Sequence, residues 1–269
     1  MLIEGVNMNC PICKDKKYVS KKSFNYAQIE KCECSYDCKI CNNWGHIPFY
    51  KDGYRYLKKC ECKKIDEKIK RYNELRIPAR YANKKLSNFK IEMFNKVVAD
   101  TQKGILKTLN TYIDNFDLDS KGIILYGGHG VGKTHLLIGL LSHLVLNFEV
   151  TGLYLDFPQW ILENKSLFTN FNLNEQLQAE MNRITTVDIL VIDEFAKNRT
   201  QFEKETFEKI FYERYNKRKI MFIGTDYEIT NKGNGKYMGD MVSPALFSRL
   251  GDFNSFEANL LIGDDYRLN

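Results

Sequence analysis

The chain has 269 residues, 43% of them hydrophobic and 28% charged, with 40 Lys/Arg against 34 Asp/Glu for a formal net charge of +6. That is enough apolar material for a packed core, and it excludes a wholly disordered or collagen-like chain. A length near the upper limit of a single domain allows one large domain or two unequal ones.

The totals conceal two asymmetries. All eight cysteines fall between Cys10 and Cys62, and residues 1–90 carry 21 Lys/Arg and 10 Asp/Glu (formal +11) where residues 91–269 carry 19 and 24 (formal −5). Such a change of character marks a change of domain. The opening MLIEGVNMNCP has no basic stretch followed by an apolar one. The longest apolar run, Leu136–Leu146, is about half the ~20 residues of a membrane span. The expectation is a soluble, cytoplasmic protein with no membrane partner, in which thiols bind metal in preference to forming disulfides.

In chain order, the cysteines come first: Cys10, Cys13, Cys32, Cys34, Cys38, Cys41, Cys60 and Cys62. The last four repeat the first four displaced by 28 residues, so C-x2-C-x18-C-x-C occurs twice, and Lys31-Cys32-Glu33-Cys34 is matched by Lys59-Cys60-Glu61-Cys62. Four thiolates make a closed tetrahedral zinc site with no open position for catalysis. Each unit is too short to bury a core, so metal would supply its folding energy. One Zn²⁺ is assigned to each unit, two in all. Nested pairing, outer four with outer four and inner with inner, is the alternative, and His46 is read as a bystander. Eight thiolates around two dications lower the segment's charge to about +7, still basic. Basic and aromatic residues interleave at Lys16-Lys17-Tyr18 and Lys51-Asp52-Gly53-Tyr54-Arg55-Tyr56. That pattern fits a nucleic-acid surface and equally a rim that docks on an acidic protein.

Residues 63–77 then read as a helix, with Ile65, Ile69, Tyr72 and Leu75 along one face and Pro78 as its stop. It joins the cysteine module to the remainder of the chain. The expected division is a tandem zinc module over 1–63, a linker helix over 64–85 and a nucleotide-binding domain over 86–269.

Lys121–Tyr126 reads as a buried strand running into Gly127-Gly128-His129-Gly130-Val131-Gly132-Lys133-Thr134, the G-x4-G-K-T phosphate loop. Its glycines let backbone N–H groups converge on phosphates, Lys133 reaches the β/γ-phosphates, and the Thr134 hydroxyl binds Mg²⁺. His135 completes the candidate nucleotide-binding set. An apolar helix follows with Leu136, Leu137, Leu140, Leu141 and Leu144, placing the phosphates at a helix N-terminus. Gly152–Asp156 is the next strand. Asp188–Ile192 is another, ending in Asp193, placed to hold Mg²⁺, and Glu194, placed to polarise the attacking water. Lys219–Gly224 is a further strand whose end, Thr225 or Asp226, would lie beside the γ-phosphate. Strands alternating with helices predict a three-layer α/β domain on a parallel sheet. Arg249, in the helical-looking Pro244–Leu250, and Arg267, in Asp264-Asp265-Tyr266-Arg267, read as surface residues on sequence grounds alone.

The assembled motifs, together with Ile77-Pro78-Ala79-Arg80-Tyr81, Leu86-Ser87-Asn88-Phe89, Leu190–Phe195 and Glu213-Arg214-Tyr215-Asn216-Lys217, resemble the DnaC/DnaI-type replicative helicase loaders of the AAA+ class from about Arg76 onward. The cysteine units resemble a module found ahead of some of these ATPases, here doubled. The resemblance implies a P-loop AAA+ three-layer αβα domain without a full helical lid. It implies that Arg249 is an arginine finger reaching a neighbouring subunit's nucleotide, and that Arg267 is a sensor 2 arginine contacting its own. Asp226 departs from the family at the sensor 1 position, where Asn is usual. The function implied is ATP-dependent loading of a hexameric replicative helicase onto single-stranded DNA, with self-association through the ATPase domain. The alternatives are a transposition ATPase of the IstB kind acting on duplex DNA, and a zinc-stabilised adaptor with the nucleotide site as a slow switch. The Asn- and Lys-rich composition points to an AT-rich bacterial or phage genome.

Overall fold

The computed structural model describes residues 10–164, 166, 168, 174–195, 200–229 and 236–268. The chain divides into two compact units, Met1–Ala82 and Asn83–Asn269.

In the first unit two antiparallel hairpins carry the cysteines. Strand β1 (Tyr18–Lys21) pairs with β2 (Gln28–Lys31), and β3 (His46–Lys51) with β4 (Tyr54–Lys59). Asp52 and Gly53, with φ of 52° and 78°, turn the second hairpin, the left-handed pair that matches the twist of its strands. Helix α1 (Glu61–Asn73) starts directly after Cys60 and packs on β2 of the first hairpin. There the Asn73 carboxamide donates to the Ile29 carbonyl (2.9 Å) and accepts from the Ile29 amide (2.8 Å), as a neighbouring strand would. Lys31 pairs with Asp66 at 3.0 Å. The helix predicted over 63–77 therefore begins two residues earlier and stops at Asn73. Arg76 adopts a left-handed φ of 57°, which a helix cannot continue through. Leu75 and Ile77 lie beyond the helix, buried with Ala27, Ile29 and Tyr72. The Ile77 carbonyl accepts from the Ala27 amide (2.7 Å), and Tyr26 bridges to Pro78. The helix thus belongs to the cysteine-bearing unit.

The second unit is built on five parallel strands. In chain order they are β5 (Gly122–Tyr126), β6 (Gly152–Asp156), β7 (Ile189–Asp193), β8 (Ile220–Thr225) and β9 (Phe256–Leu260), and their order in the sheet is β6-β7-β8-β5-β9. Four are continuous apolar runs because both sheet faces are covered. Helices α2 (Lys96–Asp114), α3 (Lys133–Asn147), α4 (Phe157–Glu163), α5 (Asn174–Thr186), α6 (Gln201–Asn216) and α7 (Pro244–Leu250) complete the layers. Alternate strand residues, among them Leu153, Leu190, Met221 and Phe256, share one core with Phe157, Ile184, Phe207, Phe211 and Leu246 of α4 to α7. On the other face, Tyr112 of α2 packs edge-on against Phe222 of β8, and α3 runs along the strands. Arg214 of α6 is fully buried and donates to four backbone carbonyls: Ile184 (2.9 Å), Val187 (2.8 Å), Asp188 (3.2 Å) and Ile220 (2.7 Å). One guanidinium thereby joins the end of α5 to the starts of β7 and β8.

The strand order positions the site. β8 lies between the strand that feeds the phosphate loop and the strand that ends in Asp193, so three C-terminal strand ends converge. After β8 the described residues contain a short 3-10 turn, α7 and β9, and no helical lid domain. Among the described residues no helix is long and apolar enough to cross a membrane.

Candidate functional site

The loop Gly127–Gly132 leaves β5 and enters α3 with three glycines at positive φ: Gly127 at 147°, Gly130 at 71° and Gly132 at 101°. Space restricts all three as well, since a Cβ on Gly127 would run into the Leu261 carbonyl oxygen. A Cβ on Gly132 would stand 2.6 Å from the Phe89 ring, and one on Gly130 would run into the Asp265 carboxylate. The amides of Gly128 to Gly132 donate to no group among the described residues. The loop therefore offers a nest of N–H donors at the positive end of a fifteen-residue helix, the arrangement that binds phosphate.

Lys133 is folded into this loop. Its ammonium donates to the carbonyls of Gly127 (2.9 Å) and Gly128 (2.7 Å) and to Asp226 Oδ1 (2.7 Å). The side chains of this ion pair are only 9% and 8% exposed. His129 Nδ1 lies 2.9 Å from Asp226 Oδ2. The Thr134 hydroxyl donates to Asp193 Oδ2 at 2.7 Å, and the Tyr154 hydroxyl donates to the same oxygen at 2.8 Å. Asp193 Oδ1 accepts the Glu194 amide at 3.1 Å. Glu194 itself takes a left-handed φ of 57°, a conformation unfavourable for a residue with a Cβ. It turns the chain sharply off the end of β7. The buried Thr225 hydroxyl donates to the Phe195 carbonyl (3.0 Å), while the Thr225 carbonyl accepts the Gly127 amide (3.2 Å). Of the two candidates at the end of β8, it is Asp226 that touches the lysine.

Other residues of the candidate set stand apart from the loop's mouth. His135 Nε2 contacts the Lys85 carbonyl (2.9 Å) and Asn88 Oδ1 (3.0 Å), so it anchors the Leu86–Phe89 segment; burial holds its pKa below the usual range. Arg249 donates to the Ala245 carbonyl (2.9 Å) and lies over the rings of Tyr212 and Tyr215, 5.0 and 5.7 Å from their centres. None of these contacts is with the phosphate loop. Arg267 is exposed, and its amide donates to Asp265 Oδ1 at 2.9 Å. The segment that carries it runs along the loop: the Leu261 amide donates to Tyr126 O (2.8 Å) and the Tyr266 amide to Gly130 O (3.2 Å). Sequence reasoning passed over Tyr154 and Asp265, whose roles depend on neighbours far away in the chain.

The cysteines form two groups, Cys10/Cys13/Cys32/Cys34 and Cys38/Cys41/Cys60/Cys62, each with all sulfurs within 4.8 Å of one another. The grouping is sequential, not nested. The Sγ–Sγ distances of 3.9 and 3.5 Å in the first, and 3.6 and 3.4 Å in the second, sit close to the edge of about 3.8 Å that a tetrahedron with Zn–S bonds of ~2.3 Å requires. His46 is in neither group and stacks edge-on with Trp44. Within each group the thiols are unequal: the Cys13 and Ile12 amides hold Cys10 down at about 7, and Cys38, which burial alone would raise, is held at about 7 by the Cys41 and Ile40 amides, while burial and neighbouring thiols push Cys34 and Cys62 up to about 12. Amides converging on a sulfur favour the thiolate, which is the form that ligates metal. The residues present fit Zn²⁺.

The fold and loop together define a P-loop AAA+ domain preceded by a twin cysteine module. Its structural neighbours are the DnaC helicase loader (23% identity, TM-score 0.55, 68% of this chain and 99% of that one) and DnaI (17%, 0.53, 70% and 93%). Domain III of the Thermotoga maritima replication initiation protein DnaA shares the same fold (19%, 0.51, 68% of each chain). In sequence the chain is similar to replicative helicase loader DnaC of Buchnera aphidicola subsp. Acyrthosiphon pisum, 25% identical over 174 residues, 64% of this chain and 65% of that protein. It is also similar to phage-like element PBSX protein XkdC of Bacillus subtilis strain 168, 27% identical over 159 residues, 57% of this chain and 55% of that one. The chain thus spans 55 to 65% of the length of these relatives. No protein-family model matches it.

Proposed function

We propose that this protein is an ATP-dependent loader that places a hexameric replicative helicase on single-stranded DNA. The observation that carries the reading is the assembly of Lys133, Thr134, Asp193, Glu194 and Asp226 at three adjacent strand ends, on a fold shared with DnaC and DnaI. In this reading the amides of Gly128 to Gly132 receive the β- and γ-phosphates, and Lys133 leaves its loop carbonyls and Asp226 to meet them. Thr134 and Asp193 hold Mg²⁺, which when bound neutralises charge on the phosphoryl oxygens. Glu194 orients the attacking water. Arg267 serves the nucleotide of its own subunit, while Arg249 reaches a neighbour's, so that turnover requires self-association. The two zinc units and α1 grip the helicase. Action is in the cytoplasm of a bacterial or phage-infected cell.

Co-sedimentation with the cognate hexameric helicase, in ATP and in ADP, tests the reading. A stable complex is expected in at least one nucleotide, and absence of a complex in both would overturn it. Lys133→Ala should lower ATP turnover by 10²-fold or more, an order set by the loss of a phosphate-binding charge. Turnover equal to wild type would remove the enzymatic part of the proposal.

A further inference from the structure

The two cysteine units repeat in sequence and in fold, yet their ribbons face different surroundings. In the first, α1 lies against β2, burying Ile29. On the opposite face Lys21 pairs with Glu30 (3.8 Å), leaving a neutral surface without a ring. In the second, every residue of β4 and four of the six in β3 are exposed. Cross-strand partners share a face, and the register Ile47–Lys58, Phe49–Tyr56, Lys51–Tyr54 puts these six side chains together. The rings of Phe49 and Tyr56 stack at 5.5 Å with planes 26° apart. Tyr54, 70% exposed, adds a third ring along β4, about 6.7 Å from Tyr56 by strand geometry. Lys51 and Lys58 flank the rings with no carboxylate partner among the described residues, whereas Lys59, on the other face, is paired with Glu67 at 3.0 Å.

We propose that this face of the β3–β4 ribbon is a stacking platform for single-stranded nucleic acid, separate from any strand path on the ATPase unit. Three adjacent rings, a cross-strand stacked pair and a neighbour along β4, offer exposed aromatic surface to unstacked bases, and the two lysines meet their phosphates. The absence of any acid on the face, beside a sister ribbon whose outward charge is neutralised, makes the partner a polyanion. Rings at strand spacing favour splayed bases over the carboxylates of an acidic protein.

The test uses the full chain and a fluorescein-labelled oligo(dT), read by anisotropy without nucleotide. The triple variant Phe49→Ala/Tyr54→Ala/Tyr56→Ala should bind at least tenfold more weakly, with two zincs per chain retained as proof of folding. The ring-preserving variant Phe49→Tyr/Tyr54→Phe/Tyr56→Phe should bind like wild type. Lys51→Ala/Lys58→Ala should reduce the slope of log K against log salt by about 1.4, two single-strand phosphate contacts. A 5-iodouracil oligonucleotide should cross-link within residues 49–58. Affinity of the zinc-loaded triple variant within twofold of wild type, or cross-links confined to residues 83–269, would overturn the proposal. So would loss of helicase capture with oligonucleotide binding intact, which would make the face a protein-docking surface. Helicase capture by the triple variant at wild-type level leaves the loader reading standing whatever the ribbon binds.

Discussion

Lys133 and Asp226 face each other across the mouth of the phosphate loop, 2.7 Å apart and nearly shut off from solvent. The carboxylate neutralises the charge that would meet a phosphate and repels the phosphate itself. Both effects oppose nucleotide binding. Asp226→Asn keeps a hydrogen-bonding group of the same shape and removes the charge. It should tighten ATP binding about tenfold, a modest share of a close, poorly solvated charge pair, as measured by titration with a fluorescent ATP analogue. Unchanged or weaker affinity would mean that Lys133 is free to turn toward phosphate in spite of the pair. The identities of both residues were legible in the sequence, as was the position of Asp226 at the end of its strand. Their contact was not, because it joins residues 93 positions apart through a sheet order that no local pattern records.

At the scale of elements, the strands that feed the site were plain. A parallel strand covered on both faces reads as an apolar run, and β5, β6, β7 and β8 each fall within a residue of their predicted bounds. The elements that escaped are those whose sequence is mixed. β9 lies at the sheet edge with Glu257 and Ala258 exposed, and α5 is largely polar. Helix α1 was recognised, but its end was set by the backbone of Arg76 and not by Pro78. Arg214 shows how a helix can be tied down by a charged residue. Burial depresses its guanidinium to about 9, and removing it would leave four carbonyls, two of them buried, without this donor. Arg214→Met should cost about 3 kcal/mol, measured by urea denaturation. A loss under about 0.5 kcal/mol would show that water or repacking replaces the donor. Arg214→Lys should fall between the two, since an ammonium cannot reach four carbonyls spread across three elements.

For the whole molecule, the net charge of +6 is a sum over two units held together in different ways. The second has a continuous core of buried strands and helices; the first has a handful of apolar side chains and eight thiols. Metal removal should therefore act on one and spare the other. Treating the intact protein with a strong chelator should release two zincs and make residues 10–82 protease-sensitive, while the thermal transition of the remainder persists. Loss of the whole cooperative transition on chelation would show that the second unit depends on the cysteine sites. The cysteine spacing announced the two groups of four sulfurs, but the unlike fates of the two ribbons could not be read from a repeat in which both look alike.

The strand order also sets a schedule. β5 carries the phosphate loop, but one of its sheet neighbours is β9, and the loop's flank is lined by Leu261, Asp265 and Tyr266. During synthesis the two cysteine units can close as soon as they emerge, since all their partners are near in sequence. The phosphate loop must wait: a nascent chain made as far as β8 carries Lys133, Thr134, Asp193 and Glu194 yet lacks the edge strand and the segment that packs along the loop. The loop's surroundings are therefore complete only after β9 and the segment that follows it have been made.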